Sequence, residues 1–276
     1  MEKQHTEQVK SGERFEFGAN WASFIDSIDD ERIHKAIASL NEMLGEQDYT
    51  GLTFLDAGSG SGLFSLAARR LGFKVHSFDF DKKSVACTTK LKELYFKDDL
   101  DWVIEEGSVL NSGYLNTLGE FDVVYSWGVL HHTGQMWNAL SNMDLLVKQS
   151  SKLFIAIYND QRFESKVWLR VKQIYNWNIL GKLLVTTFFV CLYSVGYFFL
   201  DLFLFRNPVK RYVTYKQTRG MSMYTDWIDW IGGLPFEVAS PEAIFNFYKE
   251  KNYTLYNLIT TNRHGCNQFV FIKGNL

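Results

Sequence analysis

Residues 54–72, FLDAGSGSGLFSLAARRLG, decide the fold. An apolar run leads into three glycines at alternate positions, Gly58, Gly60 and Gly62, and then into a helix-forming stretch that stops at Gly72. This reads as a strand, a tight loop and the first turns of a helix. Such a unit points backbone N–H groups and the positive end of a helix at something polar, usually part of a nucleotide-like cofactor. A dinucleotide, a phosphate and an amino-acid carboxylate each fit the loop, so the flanking sequence has to choose among them.

Outward from this unit, strands and helices alternate. KVHSFDF (74–80) reads as a second strand ending at Asp79, and DKKSVACTTKLKELYF (81–96) as a helix. WVIEEGS (102–108) is a third strand, FDVVYSWGVL (121–130) a fourth that empties into a loop, MWNALSNMDLLVKQ (136–149) a helix and KLFIAIYN (152–159) a fifth strand. Upstream, Ile33, Ile37, Leu40 and Leu44 recur at helical spacing, with Asp29 or Asp30 as cap and Gly45 as stop. Alternation of this kind predicts a doubly wound parallel sheet. Downstream, Ser240 and Pro241 open a helix. Two strand-like runs, TLYNLITT and NQFVFIK, follow and are joined by NRHGC. So short a link forces them antiparallel. The expected fold is therefore α/β: a Rossmann-like seven-stranded sheet, parallel with one antiparallel strand, plus an inserted helical segment. Residues 1–276 are expected to form a single domain, with an N-terminal lid and helix at 1–49 and a helical, aromatic cap at 160–240.

Four motifs fall at successive strand ends: LDAGSGSG, FDFD, EEGSV and FDVVYSWGVLHH. In this order they resemble the class I S-adenosylmethionine-dependent methyltransferases, in particular a bacterial type 11/12-like subgroup. The resemblance covers about residues 30–160 and 240–273. It implies S-adenosylmethionine as cofactor and a transferase activity. It further implies that Gly58, Ser59, Gly60 and Gly62 approach the methionine end, that Asp79 takes the ribose hydroxyls and that Phe80 lies against adenine. Ser108 and Val109 fall where the adenine edge is read, and Trp127 falls beside the cofactor. Many family members carry an acid at the place of Ser108. Asp56 is expected to order the loop, or water near the cofactor's amino group.

Methyl transfer to a hydroxyl needs a proton acceptor. His131 and His132 follow the fourth strand on the rim where the methyl group would point, and a neutral imidazole there could take the proton. Asp226, Arg219, Asp229 and His264 are alternative acceptor-site groups. The stretch RGMSMYTDWIDWIGGLPFE (219–237) is expected to be a shaped loop over the site, in which Trp227 and Trp230 stack on a ring or pack in the core. RFEFGANW (14–21) is expected to fold over the cofactor as a lid. His264 and Cys266 do not have zinc-site spacing, so no metal is expected.

Residues 183–205, LLVTTFFVCLYSVGYFFLDLFLF, carry Asp201 as their single charge. Their length suits a membrane-spanning helix, but one crossing would separate the C-terminal strand pair from its own sheet. A pocket cap, a membrane-interface helix and an oligomer interface all remain open, and the second suits a lipid-linked acceptor. Residues 148–220 hold twelve lysines and arginines against three acids, within a chain of net charge −2. The acidic body argues against nucleic acid. Three scattered cysteines and a polar N-terminus fit a cytoplasmic location, with membrane association if the interface reading holds. The expected acceptor is a small molecule, a glycan or a lipid-linked intermediate. Two rivals are an NAD-binding Rossmann protein, which the closing strand pair argues against, and a non-catalytic membrane-associated binding protein that retains the fold.

Overall fold

The computed structural model describes residues 2–16, 28–211 and 223–274. Its centre is a seven-stranded sheet formed by β1 (Thr53–Ala57), β2 (Lys74–Asp79), β3 (Trp102–Glu106), β4 (Phe121–Trp127), β5 (Val147–Tyr158), β6 (Tyr253–Ile259) and β7 (Cys266–Lys273), in the order β3-β2-β1-β4-β5-β7-β6. The first five strands pair in parallel. Strand β7 inserts antiparallel between β5 and β6. This is the expected sheet.

Alternation along each strand supplies both faces of the core. On one face Leu55, Ala57, Phe78, Val124, Ile155 and Phe271 pack beneath α5 (Ser112–Leu118), α6 (Met136–Met143) and α10 (Pro241–Glu250). On the other, Phe54, Val75, Val123, Tyr125, Phe154 and Val270 pack beneath α2 (Asp30–Leu44), α3 (Leu63–Arg70) and α4 (Lys82–Tyr95). The caps are local and readable. Asp29 accepts from the Arg32 N–H, Asp81 from Lys83 and Ser240 from Ala243, and each leaves one fewer orphan donor at a helix start.

Two boundaries differ from expectation. The helix read over 136–149 stops at Met143, because Val147 pairs with Phe121 and starts β5. The register then shifts, Val123 pairing with Lys152, so residues 148–151 bulge around Ser150, whose φ is 61°. Period-based reading cannot see such a shift, since the apolar residues before it suit a helix equally well. The stretch expected as a shaped loop instead contains a helix, α9 (Met223–Gly232), whose Trp227, Trp230 and Ile231 are three and four residues apart and share one face.

Between β5 and α10 the chain also forms α7 (Phe163–Trp177) and α8 (Ile179–Phe203). These helices and α9 pack on one another around Tyr175, Val185 and Ile231. Lys172 is fully buried and ties α7 to α9 by donating to the Trp230 carbonyl, with its ammonium over the Trp230 and Phe236 rings. The N-terminal helix α1 (Glu2–Lys10) leads to Phe15, whose N–H donates to the Leu234 carbonyl (2.9 Å) and whose ring lies against Gly232. Of the expected lid, residues 17–21 lie outside the described residues, as does Arg219.

Candidate active site

In the strand order, β1 and β4 are neighbours whose following connections leave in opposite directions. A crevice opens at such a switch point, outside the carboxyl ends of the strands. A cavity of about 810 Å3 occupies it here.

The glycine turn forms its floor. The Gly58 and Ser59 N–H groups both donate to the Phe78 carbonyl, at 2.9 and 3.1 Å, which folds the turn back onto β2. Gly58 has φ of 94°, and a Cβ there would come within 2.5 Å of Val129. Gly62, at φ of 80°, starts α3 against Thr88 of α4 with no room for a side chain. Gly58, Ser59 and Gly60 line the cavity; Gly62 instead sets the helix packing behind it.

Two carboxylates flank the turn. Asp79 at the end of β2 accepts from the Gly60 N–H through one oxygen (2.9 Å) and from the Asp81 N–H through the other (2.9 Å). Burial raises its pKa to about 6 against the pull of these two donors. Asp56 sits deeper, 2% exposed, and accepts from the Ser65 hydroxyl at 2.5 Å. Ser65 in turn accepts from Ser77 (2.8 Å), and Ser77 from the Trp102 indole (2.9 Å). A buried relay from β3 to β1 therefore holds Asp56. Desolvation raises its pKa to about 7.

Phe78, Phe80, Ser108 and Val109 form one wall. Ser108 keeps its hydroxyl on the Leu110 N–H (3.2 Å), closing a local turn. Above Phe80 lies the Arg14 guanidinium, 5.3 Å from the ring centroid. Its Nη1 donates to the His132 carbonyl (3.0 Å) and its Nε to Gln8 (2.9 Å). On the opposite wall, Trp127 is 43% exposed and donates to Gln268 (3.2 Å).

The histidine pair divides. His132 lines the cavity, and its Nδ1 lies 2.6 Å from the Pro235 carbonyl. A carbonyl only accepts, so Nδ1 carries the proton and Nε2 is the basic nitrogen. Burial lowers its pKa to about 3, so the ring is neutral near pH 7. His131 is fully buried away from the cavity, its ring 3.9 Å from that of Tyr158, and the Tyr158 N–H donates to its Nδ1 (3.4 Å). Of the alternative groups, Asp226 on α9 lines the cavity. Asp229 and His264 do not; His264 packs on Trp168 and Trp230. Among the described residues no three His, Cys, Asp or Glu side chains gather as a metal site.

Two contributors are not singled out by the sequence patterns. Arg14 opens the stretch expected as a lid, but nothing local in that stretch pairs it with Phe80; the fold does. Tyr125 lies beside Asp56 in the β1–β4 register, 3% exposed, with a hydroxyl that finds no partner among the described residues. Strand alternation places it on the face of Phe54 and hides that it also lines the cavity.

The donor set fits S-adenosylmethionine. Four carboxylates, Asp56, Asp79, Asp81 and Asp226, line the cavity and suit a ligand carrying ammonium and sulfonium charges. Asp79 retains lone pairs for hydroxyl donors, and Phe64, Phe78 and Phe80 offer flat apolar surface.

A methyltransferase-domain family model matches residues 28–181, more than half of the chain. The ubiquinone biosynthesis O-methyltransferase of Caulobacter vibrioides is 30% identical over 117 residues, 40% of this chain and 42% of that protein, so the chain spans less than half the length of the curated relative it matches. Among solved structures, magnesium protoporphyrin IX methyltransferase from Synechocystis PCC 6803 with bound S-adenosylhomocysteine superposes with a TM-score of 0.52 at 13% identity, over 88% of this chain and 83% of that one. An O-methyltransferase family protein from Burkholderia thailandensis gives 0.52 at 10% identity, over 89% and 59%. At these identities the structural likeness shows the fold, a Rossmann-like methyltransferase architecture. With the family match and the glycine-turn cavity at the switch point, the chain belongs to the class I S-adenosylmethionine-dependent methyltransferases.

Proposed function

We propose that the protein methylates an oxygen atom on a small-molecule, glycan or lipid-linked acceptor, with His132 as the proton acceptor. The observation that carries this reading is the His132 ring at the cavity wall, with Nδ1–H committed to the Pro235 carbonyl. That hydrogen bond fixes the tautomer with the proton on Nδ1 and the lone pair on Nε2, the form a proton acceptor requires; burial keeps the ring neutral and lowers its basicity. Arg14 steadies the same loop through the His132 carbonyl. His131 sits behind, 4.5 Å from His132 between ring centroids, and supports its orientation rather than touching the acceptor. Asp226, on the cavity wall, orients the acceptor.

S-adenosylmethionine supplies an activated methyl group on sulfur, so the protein's part is to bind, align and exclude water. Asp79 takes the ribose hydroxyls, and Gly58, Ser59 and Gly60 bring backbone close to the methionine end. Phe80 and Val109 flank the base, Ser108 meets its edge and Trp127 closes the side. Asp56, held by Ser65, faces the cofactor's amino end. Of the three acceptor classes, the lipid-linked one is supported by the exposed apolar run at 183–205, and peripheral membrane contact accompanies it.

The test is incubation with cofactor labelled in its methyl group and fractionated host-cell extract, followed by mass spectrometry of the labelled product. Label on oxygen, lost in the His132→Ala variant while cofactor affinity persists, is the expected outcome. Label on nitrogen or carbon, or undiminished transfer by His132→Ala, overturns the reading.

A further inference from the structure

Helix α8 is 25 residues long and apolar enough by length and composition to cross a membrane, yet only 6% of its apolar window is buried. A core helix of this composition would be mostly covered. The covered side runs along Gly181, Val185, Phe189, Tyr193, Tyr197 and Asp201, with Thr186, Val190 and Ser194 partly covered beside it. Gly181 fits against the Ile174 backbone of α7, and Phe189 lies 5.3 Å from Trp168 between ring centroids. Tyr193 and Tyr197 both pack on Trp227 of α9, at 5.2 and 6.0 Å. The helix thus lies along α7 and α9 and does not project from the protein.

The remaining faces are apolar and uncovered. Leu183, Leu184, Phe188, Leu192, Phe199 and Phe203 are each more than half exposed. Asp201, the helix's one acid, ends the covered stripe and is paired there with Arg211, whose Nε donates to it at 2.6 Å. The outward faces therefore carry no negative charge. Lys182 opens the helix, Arg206 and Lys210 follow it, and all three are exposed.

We propose that α8 docks the protein on an anionic bilayer surface, its uncovered faces sunk in the boundary between headgroups and acyl chains and its flanking cations among the lipid phosphates. A surface this apolar, free of acid and bounded by cations, matches an anionic lipid surface in both hydrophobicity and charge. A second protein copy would need no cationic border. Helix α9 links the docking helix to the chemistry, since Trp227 packs on α8 while the adjacent Asp226 lines the cavity. An acceptor carried in the bilayer would reach the cavity along this shared wall, a consequence that rests on the acceptor reading above; the docking itself does not.

Flotation of the full chain with vesicles of phosphatidylcholine mixed with phosphatidylglycerol tests the docking. The protein is expected to float with these vesicles, and less in high salt, because the cationic part of the attraction is screened. The variant combining Leu184→Glu, Phe188→Glu and Phe199→Glu is expected to lower the partition coefficient at least about tenfold, since three apolar side chains lose their burial in lipid. Calorimetry with S-adenosylmethionine serves as its folding control and is expected to be unchanged. A polarity-sensitive dye on Cys191, which is exposed on α8, should shift to the blue on vesicle addition in a Cys266→Ser background. Failure of the wild-type chain to float overturns the proposal. So does equal flotation by the triple variant, or a vesicle-free dimer that only the variant breaks. Flotation without methyl transfer to oxygen leaves the docking intact and sinks the acceptor reading; transfer without flotation does the reverse.

Discussion

Strand β1 and helix α8 are both apolar runs, and the protein uses them in opposite ways. Leu55 of β1 has no exposed surface, and Leu184 of α8 is 68% exposed. Around β1, every apolar side chain has a partner from a neighbouring strand or covering helix, and Thr53 and Asp56 are held by hydrogen bonds. Around α8 one stripe is partnered and the rest faces outward. Composition does not separate these regions; topology does. A central strand is enclosed on both faces by the connections that the parallel sheet requires. Among the described residues, the helix inserted after β5 packs on α7 and α9 and meets Arg211 at its end.

The sharpest way to break that comparison is to make the same truncation in both places. Leu55→Ala should cost about 2–5 kcal/mol in chemical denaturation, because it opens a cavity that close-packed neighbours cannot fill. A loss below about 1 kcal/mol would mean that the β1 core is loosely packed. Next in size, His132→Ala should slow turnover about a hundredfold or more while leaving the calorimetric Kd for S-adenosylmethionine near its starting value. Asp79→Ala should weaken that Kd by about tenfold or more, since hydroxyls buried at the ligand would lose their acceptor. Vesicle binding should not change with it, which keeps the two regions distinct.

A smaller effect concerns pH. The Asp56 and Asp79 pKa values are raised by burial, to about 7 and about 6. A carboxyl group whose folded pKa is raised contributes stability below its unfolded value, and that contribution is lost as pH rises through the folded one. Melting of the cofactor-free protein should therefore shift downward between about pH 4 and pH 7, and Asp56→Asn should flatten the shift. His132, lowered to about 3, works in the other sense, losing stability as pH falls below about 6.5. The comparison with Asp56→Asn isolates the carboxyl part. An unchanged slope in that variant would remove Asp56 as its source. Smallest of all, Leu184→Ala should move the denaturation midpoint by no more than about 0.5 kcal/mol, because an exposed side chain has little burial to lose. A large loss there would show that α8 is covered in solution.

Much of the sheet was legible because its signals are local. Gly58 and Gly62 stand where the backbone needs positive φ and closely packed neighbours, Asp79 ends an apolar strand, and Asp29, Asp81 and Ser240 cap the helices that follow them. The division of labour between His131 and His132 was not legible. Adjacent residues of one type leave a loop in different directions, and only Tyr158 on one side and Pro235 on the other separate them. Arg14 shows the same limit over a longer span, joining Phe80 and His132 from a segment far from both in sequence.

By itself the sequence determined the order of strands and helices, the antiparallel closing pair and the glycine turn with its strand-end carboxylate, because spacing, capping and turn chemistry act within a few residues. The tertiary structure alone decided which histidine faces the cavity, how α9 joins cavity to α8, and that α8 keeps most of its apolar surface outside the core. Burial is a property of what packs against a residue, and those partners lie tens to hundreds of positions away along the chain.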